Sequence, residues 1–179
     1  MPRAGIALGS NLGDRHANLR AAIECLGKIA IPGEVLLAAP IYQTEPLLCP
    51  PGSPYFFNSV VEIGFEGTAF ELLEITQGIE KYLGRGSAVV RNAPRVIDVD
   101  LLYFGDQVID TELLVLPHPR IAERRFVLQP LASIRPELIL PGQVRGVGEL
   151  LDDLKSDEPP LIPVIKGSIR PHGAMSGNS

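Results

Sequence analysis

The chain has 179 residues and a formal net charge of −5, a length at which one compact domain is the default expectation. Hydrophobic residues make up 45% and charged residues 21%, which excludes a disordered chain and a coiled coil. The negative charge argues against a protein that binds nucleic acid through a diffuse basic surface. No apolar run approaches about 18 residues and no signal peptide pattern opens the chain, so we expect a cytoplasmic protein without a membrane or nucleic-acid partner.

Apolar residues recur at alternating or helical spacing along most of the chain. In chain order the pattern predicts a strand at 6–8, a helix capped by Asp14, a strand at 33–42, a loop at 44–54, a strand at 57–65, a helix at 69–83, strands at 96–104 and 107–115, and a capped helical segment at 118–131. Gly105-Asp106 joins the last two strands, which predicts a hairpin.

The order β-α-β-β-α-β indicates an α+β fold, a ferredoxin-like sandwich in which an antiparallel sheet carries its helices on one face. The hairpin and a C-terminal helical segment add to this core. We predict a single domain over residues 1–154. Residues 155–179 are polar and rich in chain breakers, which predicts a loosely ordered tail.

Two aspartates lie inside the strongest predicted strand. Because side chains alternate across a strand, Asp98 and Asp100 are neighbours on one face. The other face carries the apolar residues Ile97, Val99, Leu101 and Tyr103. Two carboxylates this close repel each other unless a cation lies between them, and Mg²⁺ binds through one or two carboxylates plus substrate phosphates. Spacing alone favours an exposed strand face with two solvated acids, whereas the apolar setting and the arginines just upstream favour a magnesium site.

Arginines cluster on both sides of this strand. Twelve of the sixteen cationic residues are arginines, and six of them lie within 41 residues: Arg85, Arg91, Arg95, Arg120, Arg124 and Arg125. A guanidinium presents a planar fork of donors that suits phosphate. Residues 82–97 contain three of these arginines and no acid, which favours a closing lid over polyphosphate. The alternative is a solvated basic loop.

Two further polar groups are candidates for the same site. His118 ends the strand that is predicted to pair with the aspartate strand, although a lone histidine is more often structural. Phe56 and Asn58 share a strand face if Phe57 packs inward, and such a pair can stack on and hydrogen-bond a flat heterocycle. An edge aromatic beside a turn asparagine is the alternative. The chain has neither a G-x-x-x-x-G-K-[ST] nor a G-x-G-x-x-G motif, so arginines and carboxylates must hold any nucleotide.

Several strings carry a resemblance to a known family: IALGSNLG at 6–13, YQTEP at 42–46, FNSVV at 57–61, APRVIDVDLL at 93–102, LPHPR at 116–120 and ERRF at 123–126. In this order they resemble the 6-hydroxymethyl-7,8-dihydropterin pyrophosphokinase family. The resemblance implies ATP-dependent transfer of diphosphate to the hydroxymethyl group of that pterin, with release of AMP, in folate biosynthesis. It also implies two Mg²⁺ ions, ATP as co-substrate and small-molecule partners only, and we expect a monomer.

The resemblance assigns a role to each matching residue. The metal ligands would be Asp98 and Asp100, which with Arg85 and Arg95 form the catalytic set. The residues implied to bind ATP are Gln77, Arg85, Arg95, Leu101, His118 and Arg124, with Glu80 beside Gln77 on one helix face. The residues implied to bind the pterin are Thr44, Leu47, Phe56, Asn58 and Phe126, with the two phenylalanines on either side of the ring.

The chain departs from the family pattern at three places. Asn92-Ala93 replaces an aromatic residue and a glycine before the Pro-Arg pair, while Ser87 and Leu113 replace basic residues. These changes predict weaker or rearranged substrate contacts. Two other functions stay open on the residues alone: a metal-dependent nucleotide-sugar transferase that uses Asp98 and Asp100, and a ferredoxin-like module that senses a small ligand without a metal.

Overall fold

The computed structural model describes residues 2–45, 51–52, 54–84 and 96–164. The strands are β1 (Arg3–Ser10), β2 (Leu37–Ala38), β3 (Tyr42–Thr44), β4 (Phe56–Gly64), β5 (Asp98–Phe104), β6 (Ile109–Asp110), β7 (Val115–Leu116) and β8 (Ile162–Pro163). The helices are α1 (Arg15–Ile29), α2 (Ala69–Gly84), α3 (Arg125–Ile134) and α4 (Val147–Asp152), with a 3-10 turn at Ile121–Glu123. None of these helices is long and apolar enough to cross a membrane.

The first helix forms as its sequence predicts. The Asp14 side chain accepts a hydrogen bond from the Ala17 backbone N–H at 3.1 Å, which satisfies one of the unpaired donors at the start of α1. Leu19, Ala22 and Leu26 recur at helical spacing and are fully buried. Thus α1 packs its apolar stripe on the sheet and leaves its first turn beside the end of β1.

The main sheet is antiparallel and has the spatial order β5-β1-β4-β3-β8, with β2 also paired to β4. Its core follows the predicted β-α-β-β-α-β order. The predicted strand at 33–42 is replaced by two shorter strands, β2 and β3, on either side of Pro40. Proline cannot donate a ladder hydrogen bond, which explains the interruption.

A hairpin follows β5, but the strand pairing predicted for it is wrong. Gly105 turns the chain with φ +56°, but β5 pairs with β1, and β6 pairs with β7 in a separate two-stranded sheet. A tight local contact, from the Thr111 N–H to the Leu114 carbonyl at 3.0 Å, closes that small sheet. The predicted helical segment also starts later than residue 118, at the 3-10 turn and then α3, and α3 has no side-chain cap. Pro119 disfavours a helical backbone at the preceding residue.

A β-bulge changes the face on which Tyr103 lies. Opposite β5, the register shifts between Gly5 and Ile6, which pair with Tyr103 and Leu101. Leu101 therefore packs with α1 and α2, whereas Tyr103 packs on the opposite side of the sheet. The prediction that the two residues share a face is wrong because a bulge inserts one extra residue into the alternation.

Two apolar cores lie on opposite faces of the sheet. The larger joins β1, β4 and β5 to α1 and α2. The second joins the other face to α3 and α4, and its fully buried members include Val60, Leu102, Tyr103, Leu128, Leu131 and Val147. Val60 pairs with Ala7 and Tyr103 pairs with Gly5, whereas the polar Asn58 pairs with Gly9, nearer the end of β1.

A buried carboxylate ties the sheet to the end of α3. Glu62 is 1% exposed, and its Oε1 lies 2.9 Å from Arg3 Nε and 2.8 Å from Arg135 Nη1, while the Tyr103 hydroxyl donates to its Oε2. Burial, and then the hydrogen bond to Glu62, raises the pKa of Tyr103. Two guanidinium groups contact this one buried carboxylate, so the cluster links the sheet to the end of α3 at the end of β1 opposite Ser10.

Part of the predicted tail is docked on the sheet. β8 pairs with β3, the Val164 N–H donates to the Ile41 carbonyl at 2.7 Å, and the Gln129 side chain exchanges hydrogen bonds of 2.8 and 3.0 Å with the backbone of Leu161. Residues 161–164 are therefore held by backbone pairing and by Gln129, while the expectation of a loose tail over residues 155–179 stays a prediction. The domain boundary at residue 154 stays a prediction.

Candidate functional site

The polar candidates on β4 and β5 meet at the end of β1. Gly9 pairs with Asn58 of β4 on one side and with Asp98 of β5 on the other. Asp100, two residues further along β5, pairs with Ala7 and is exposed. Since alternate residues share a face, these carboxylates and the Asn58 carboxamide lie on the sheet face opposite α1 and α2.

The Asn58 carboxamide lies over the backbone of β1. Its Nδ2 donates to Thr44 Oγ1 at 2.6 Å, which joins β3 to β4 on this face. A Cβ at Gly9 would lie 3.1 Å from Asn58 Oδ1, so the glycine makes room for the carboxamide, and it would lie at an ordinary contact distance of 4.0 Å from Phe56 Cδ1. Phe57 packs inward as expected, at 3% exposure. The structure thus brings together three of the predicted pterin residues, and Leu47 lies outside the described residues.

Arg15 fixes the start of β4, a contact that sequence reasoning missed. Its Nη1 donates to the Tyr55 carbonyl at 2.6 Å, and its guanidinium carbon lies 4.2 Å from the centroid of the Phe57 ring. The first residue of α1 therefore holds the backbone that leads into Phe56. The available signal was its position directly after the cap of a helix that follows a glycine-rich turn.

Two hydrogen bonds join the outer edge of β5 to neighbouring segments. Glu80 Oε1 accepts the Val99 N–H at 3.3 Å, and the His118 N–H donates to the Leu102 carbonyl at 2.7 Å. His118 therefore reaches β5 directly, although the strand pairing from which its position was predicted does not form. Gln77, on the same helix as Glu80, is exposed.

A cleft of about 320 Å³ opens along this edge. Its walls are Leu73, Asp100, Leu101, Leu113, Leu114, Val115, His118 and Pro119. Two predicted ATP residues, Leu101 and His118, thus line one cleft with the predicted metal ligand Asp100. Leu113, one of the departures from the family pattern, is 79% exposed and gives the cleft an apolar wall where a cation was expected.

The electrostatics near His118 favour an anion. Burial lowers the pKa of His118, and the positive charges of Arg124 and then Arg120 lower it further. Its Nδ1 accepts the Arg120 backbone N–H at 3.2 Å, so in the neutral ring the proton is on Nε2. Arg124 also lies over Phe126, its guanidinium carbon 5.4 Å from the ring centroid. A neutral donor flanked by two guanidinium groups suits a phosphate oxygen.

The carboxylate pair is compatible with magnesium. In the described ranges, no three His, Cys, Asp or Glu side chains come close enough together to form an all-protein metal cage. Asp98 and Asp100 supply hard oxygen ligands from one strand face, and Mg²⁺ commonly takes its remaining ligands from phosphates and water. The donor set therefore suits a magnesium ion that arrives with a nucleotide, and it does not suit zinc. The predicted lid arginines, Arg85 and Arg95, lie outside the described residues, as do Arg91, Ser87 and Asn92-Ala93.

Comparison with known sequences now decides the family. A sequence model of the 7,8-dihydro-6-hydroxymethylpterin-pyrophosphokinase (HPPK) family matches residues 5–136. The chain belongs to this family. A Bacillus subtilis relative named 2-amino-4-hydroxy-6-hydroxymethyldihydropteridine pyrophosphokinase is 47% identical over 131 residues, which cover 73% of this chain and 77% of the relative. A relative of the same name from Methylorubrum extorquens is 46% identical over 145 residues, which cover 80% and 89% of the two chains.

Some relatives are much longer proteins. The Schizosaccharomyces pombe folic acid synthesis protein fol1 is 36% identical over 153 residues, and this chain spans only 20% of its length. A crystal structure of wild-type Plasmodium falciparum HPPK-DHPS with SDX-DHP superposes with a TM-score of 0.66 at 14% identity, covering 84% of this chain and 44% of that one. At that identity the likeness shows the fold alone.

These findings confirm the resemblance noted in the sequence. The HPPK chain has the predicted α+β fold and is a pyrophosphokinase of folate biosynthesis that uses ATP. The two alternatives, a nucleotide-sugar transferase and a ligand-sensing module, are thereby set aside. The roles of the individual site residues remain predictions, which the geometry described above makes specific.

Proposed function

We propose that this HPPK transfers diphosphate from ATP to the hydroxymethyl oxygen of 6-hydroxymethyl-7,8-dihydropterin, with the acidic pair of β5 between the two substrates. One observation carries the proposal. Asp98 is linked through Gly9 to Asn58 on the face toward β4, whereas Asp100 lines the cleft that contains His118 at the outer edge. A reaction that joins a heterocycle to the phosphate chain of a nucleotide needs two such regions with a cation site between them.

The region over β1 fits the pterin. Asn58 donates to Thr44 and can accept a hydrogen bond from the heterocycle through Oδ1, while Phe56 offers a ring beside it. Phe126 would cover the second face of the pterin, and the backbone near Leu47 would complete its hydrogen bonds. The same Gly9 that admits the carboxamide also leaves the space above β1 open.

The cleft at the edge of β5 fits the nucleotide. Apolar side chains such as Leu101 can contact the adenosine, and His118 can donate from Nε2 to a phosphate oxygen. Arg124, whose positive charge lowers the pKa of His118, would bind the phosphate tail. Gln77 would contact the nucleotide from α2. We assign Arg85 and Arg95 to the transferring group on the basis of the sequence pattern.

Asp98 and Asp100 would hold Mg²⁺, for which we propose two ions that neutralise phosphate charge and lower the pKa of the attacking hydroxyl. The hydroxymethyl oxygen attacks the β-phosphorus in line, the bond to the α-phosphate oxygen breaks, and AMP leaves. The chain itself aligns the substrates and stabilises charge, so we assign no dedicated general base. We also propose that the protein acts as a monomer in the cytoplasm, where ATP is available.

Product analysis tests this function. Protein, Mg²⁺, ATP and 6-hydroxymethyl-7,8-dihydropterin should yield AMP and the pterin diphosphate in equal amounts, and Asp98→Asn or Asp100→Asn should lower turnover by about a hundredfold or more. Asp106→Asn, at an exposed turn, is the matched control and should keep turnover near the wild-type value. Formation of ADP, or no AMP from folded protein, would refute the reaction. Turnover within about twofold of wild type in both β5 variants would refute the role of the acidic pair.

A further inference from the structure

One amide side chain bridges the end of β1 and the start of β5. Asn18 lies on α1, and its Nδ2 is 2.9 Å from the Leu12 carbonyl oxygen, 3.1 Å from Ser10 Oγ and 3.2 Å from the Val96 carbonyl oxygen. The first of these acceptors lies in the turn after β1, the second on the last residue of β1, and the third is 78 positions away in sequence. An amide nitrogen carries two hydrogens, so with three acceptors both hydrogens are used and one of them is shared between two oxygens.

The bridge begins where the strand pairing ends. In the described part of the chain, the register of β1 with β5 ends at the pair of Gly9 and Asp98. Beyond this rung, Asn18 holds Val96, two residues before Asp98, beside Ser10, one residue after Gly9. The side chain therefore limits how far the start of β5 can move away from the turn after β1.

We propose that Asn18 is a positioning residue for diphosphate transfer, because its hydrogen bonds to the Ser10 hydroxyl and the Val96 carbonyl fix Asp98 relative to the Asn58 face. This inference rests on the proposed function. Asn18 lies on α1, outside the two binding regions, and acts only through the segments that it joins. A displacement of about 1 Å between reacting groups can lower a rate by about a hundredfold, so a loosened start of β5 should affect turnover more than substrate binding.

Two variants test the bridge. Asn18→Leu has a similar volume and cannot donate, and Asn18→Asp keeps the shape but presents a carboxylate to three oxygens. We expect kcat to fall about 10- to 100-fold in both, while KM for ATP stays within about twofold because Asn18 does not line the cleft. Hydrogen exchange should accelerate at residues 96–99 and stay unchanged at 60–63. If Asn18→Leu does not fold, the same measurements on Asn18→Asp test the proposal.

Gln129→Leu is the matched control, since it also removes an amide that bridges two segments, here α3 and Leu161. Gln129→Leu should lose about as much free energy of unfolding as the Asn18 variants and should keep kcat near the wild-type value. The proposal fails if kcat in the folded Asn18 variants stays within about twofold of wild type, or if it falls no further than in the control. Absence of AMP with the wild-type protein would instead refute the proposed function, so the two failures are distinguishable.

Discussion

Adding a single methyl group at Gly9 tests whether the Asn58 carboxamide is held in the binding face. In Gly9→Ala, the new Cβ would lie 3.1 Å from Asn58 Oδ1, whereas ordinary contact begins at 3.4 Å. The oxygen must therefore retreat by about 0.3 Å. Phe56, at 4.0 Å from the new carbon, needs no adjustment.

The strain should fall on one hydrogen bond. Asn58 is 7% exposed, and its Nδ2 is fixed to Thr44 Oγ1 at 2.6 Å, so the side chain has little room to rotate away from Gly9. A typical hydrogen bond contributes about 1 kcal/mol, which corresponds to roughly a fivefold change in an equilibrium constant. The methyl group also occupies space above β1. We expect Kd for the pterin to rise about 5- to 10-fold and KM for ATP to stay unchanged.

Isothermal titration with the pterin, together with urea unfolding, measures both effects. The matched variant is Gly5→Ala, four residues earlier on the same face of β1, where the new Cβ would overlap the Tyr103 ring. That variant should lose about 1–3 kcal/mol of stability and bind the pterin normally when folded, whereas Gly9→Ala should stay within about 1 kcal/mol of wild type. Normal pterin affinity in Gly9→Ala would refute the placement of the carboxamide as a binding group.

Three further predictions follow from contacts that do not involve Gly9 or Asn58. In NMR titrations the pKa of His118 should lie below its ordinary value and should rise in Arg124→Gln. Because the unfolded chain binds the proton more tightly, His118 should also reduce the free energy of unfolding as the pH falls through about 6.5. Arg15→Ala should raise KM for the pterin about 3- to 10-fold, while Arg20→Ala, exposed on the same helix, should leave it unchanged in the same steady-state assay. Tyr103→Phe should lower the free energy of unfolding in urea by about 1–2 kcal/mol, because the buried carboxylate on β4 loses a donor.

The parts of the fold that were predictable from the sequence depend on local periodicity. The Asp14 cap and the buried stripe of α1 involve residues within a few turns of one another, and the shared face of Asp98 and Asp100 needs only strand alternation. The bulge at Tyr103 breaks this alternation, because its position is set by the partner strand, where Gly5 leaves space for the ring. No pattern within β5 alone contains that information.

The errors in strand pairing have the same origin. Gly105-Asp106 was correctly identified as a turn, but a turn does not determine whether the strand after it pairs with β5 or with a later segment. The docked residues at 161–164 present a similar case, since their partner strand β3 is about 120 positions away and β3 itself is only three residues long. Pairings between distant segments depend on which edge remains available once the central strands have formed.

The residues that sequence reasoning missed at the site are those that act between segments. Arg15 reaches a carbonyl 40 positions away, and Asn18 reaches one 78 positions away. The chemistry of substrate binding restricts residue type, because phosphate, metal and heterocycle need guanidinium, carboxylate and amide groups, and this restriction is readable in a sequence. Positioning a strand end requires only a donor that meets a backbone oxygen. Many residue types satisfy that requirement, so Asn18 is identified by the packing of α1 against the sheet and not by any motif.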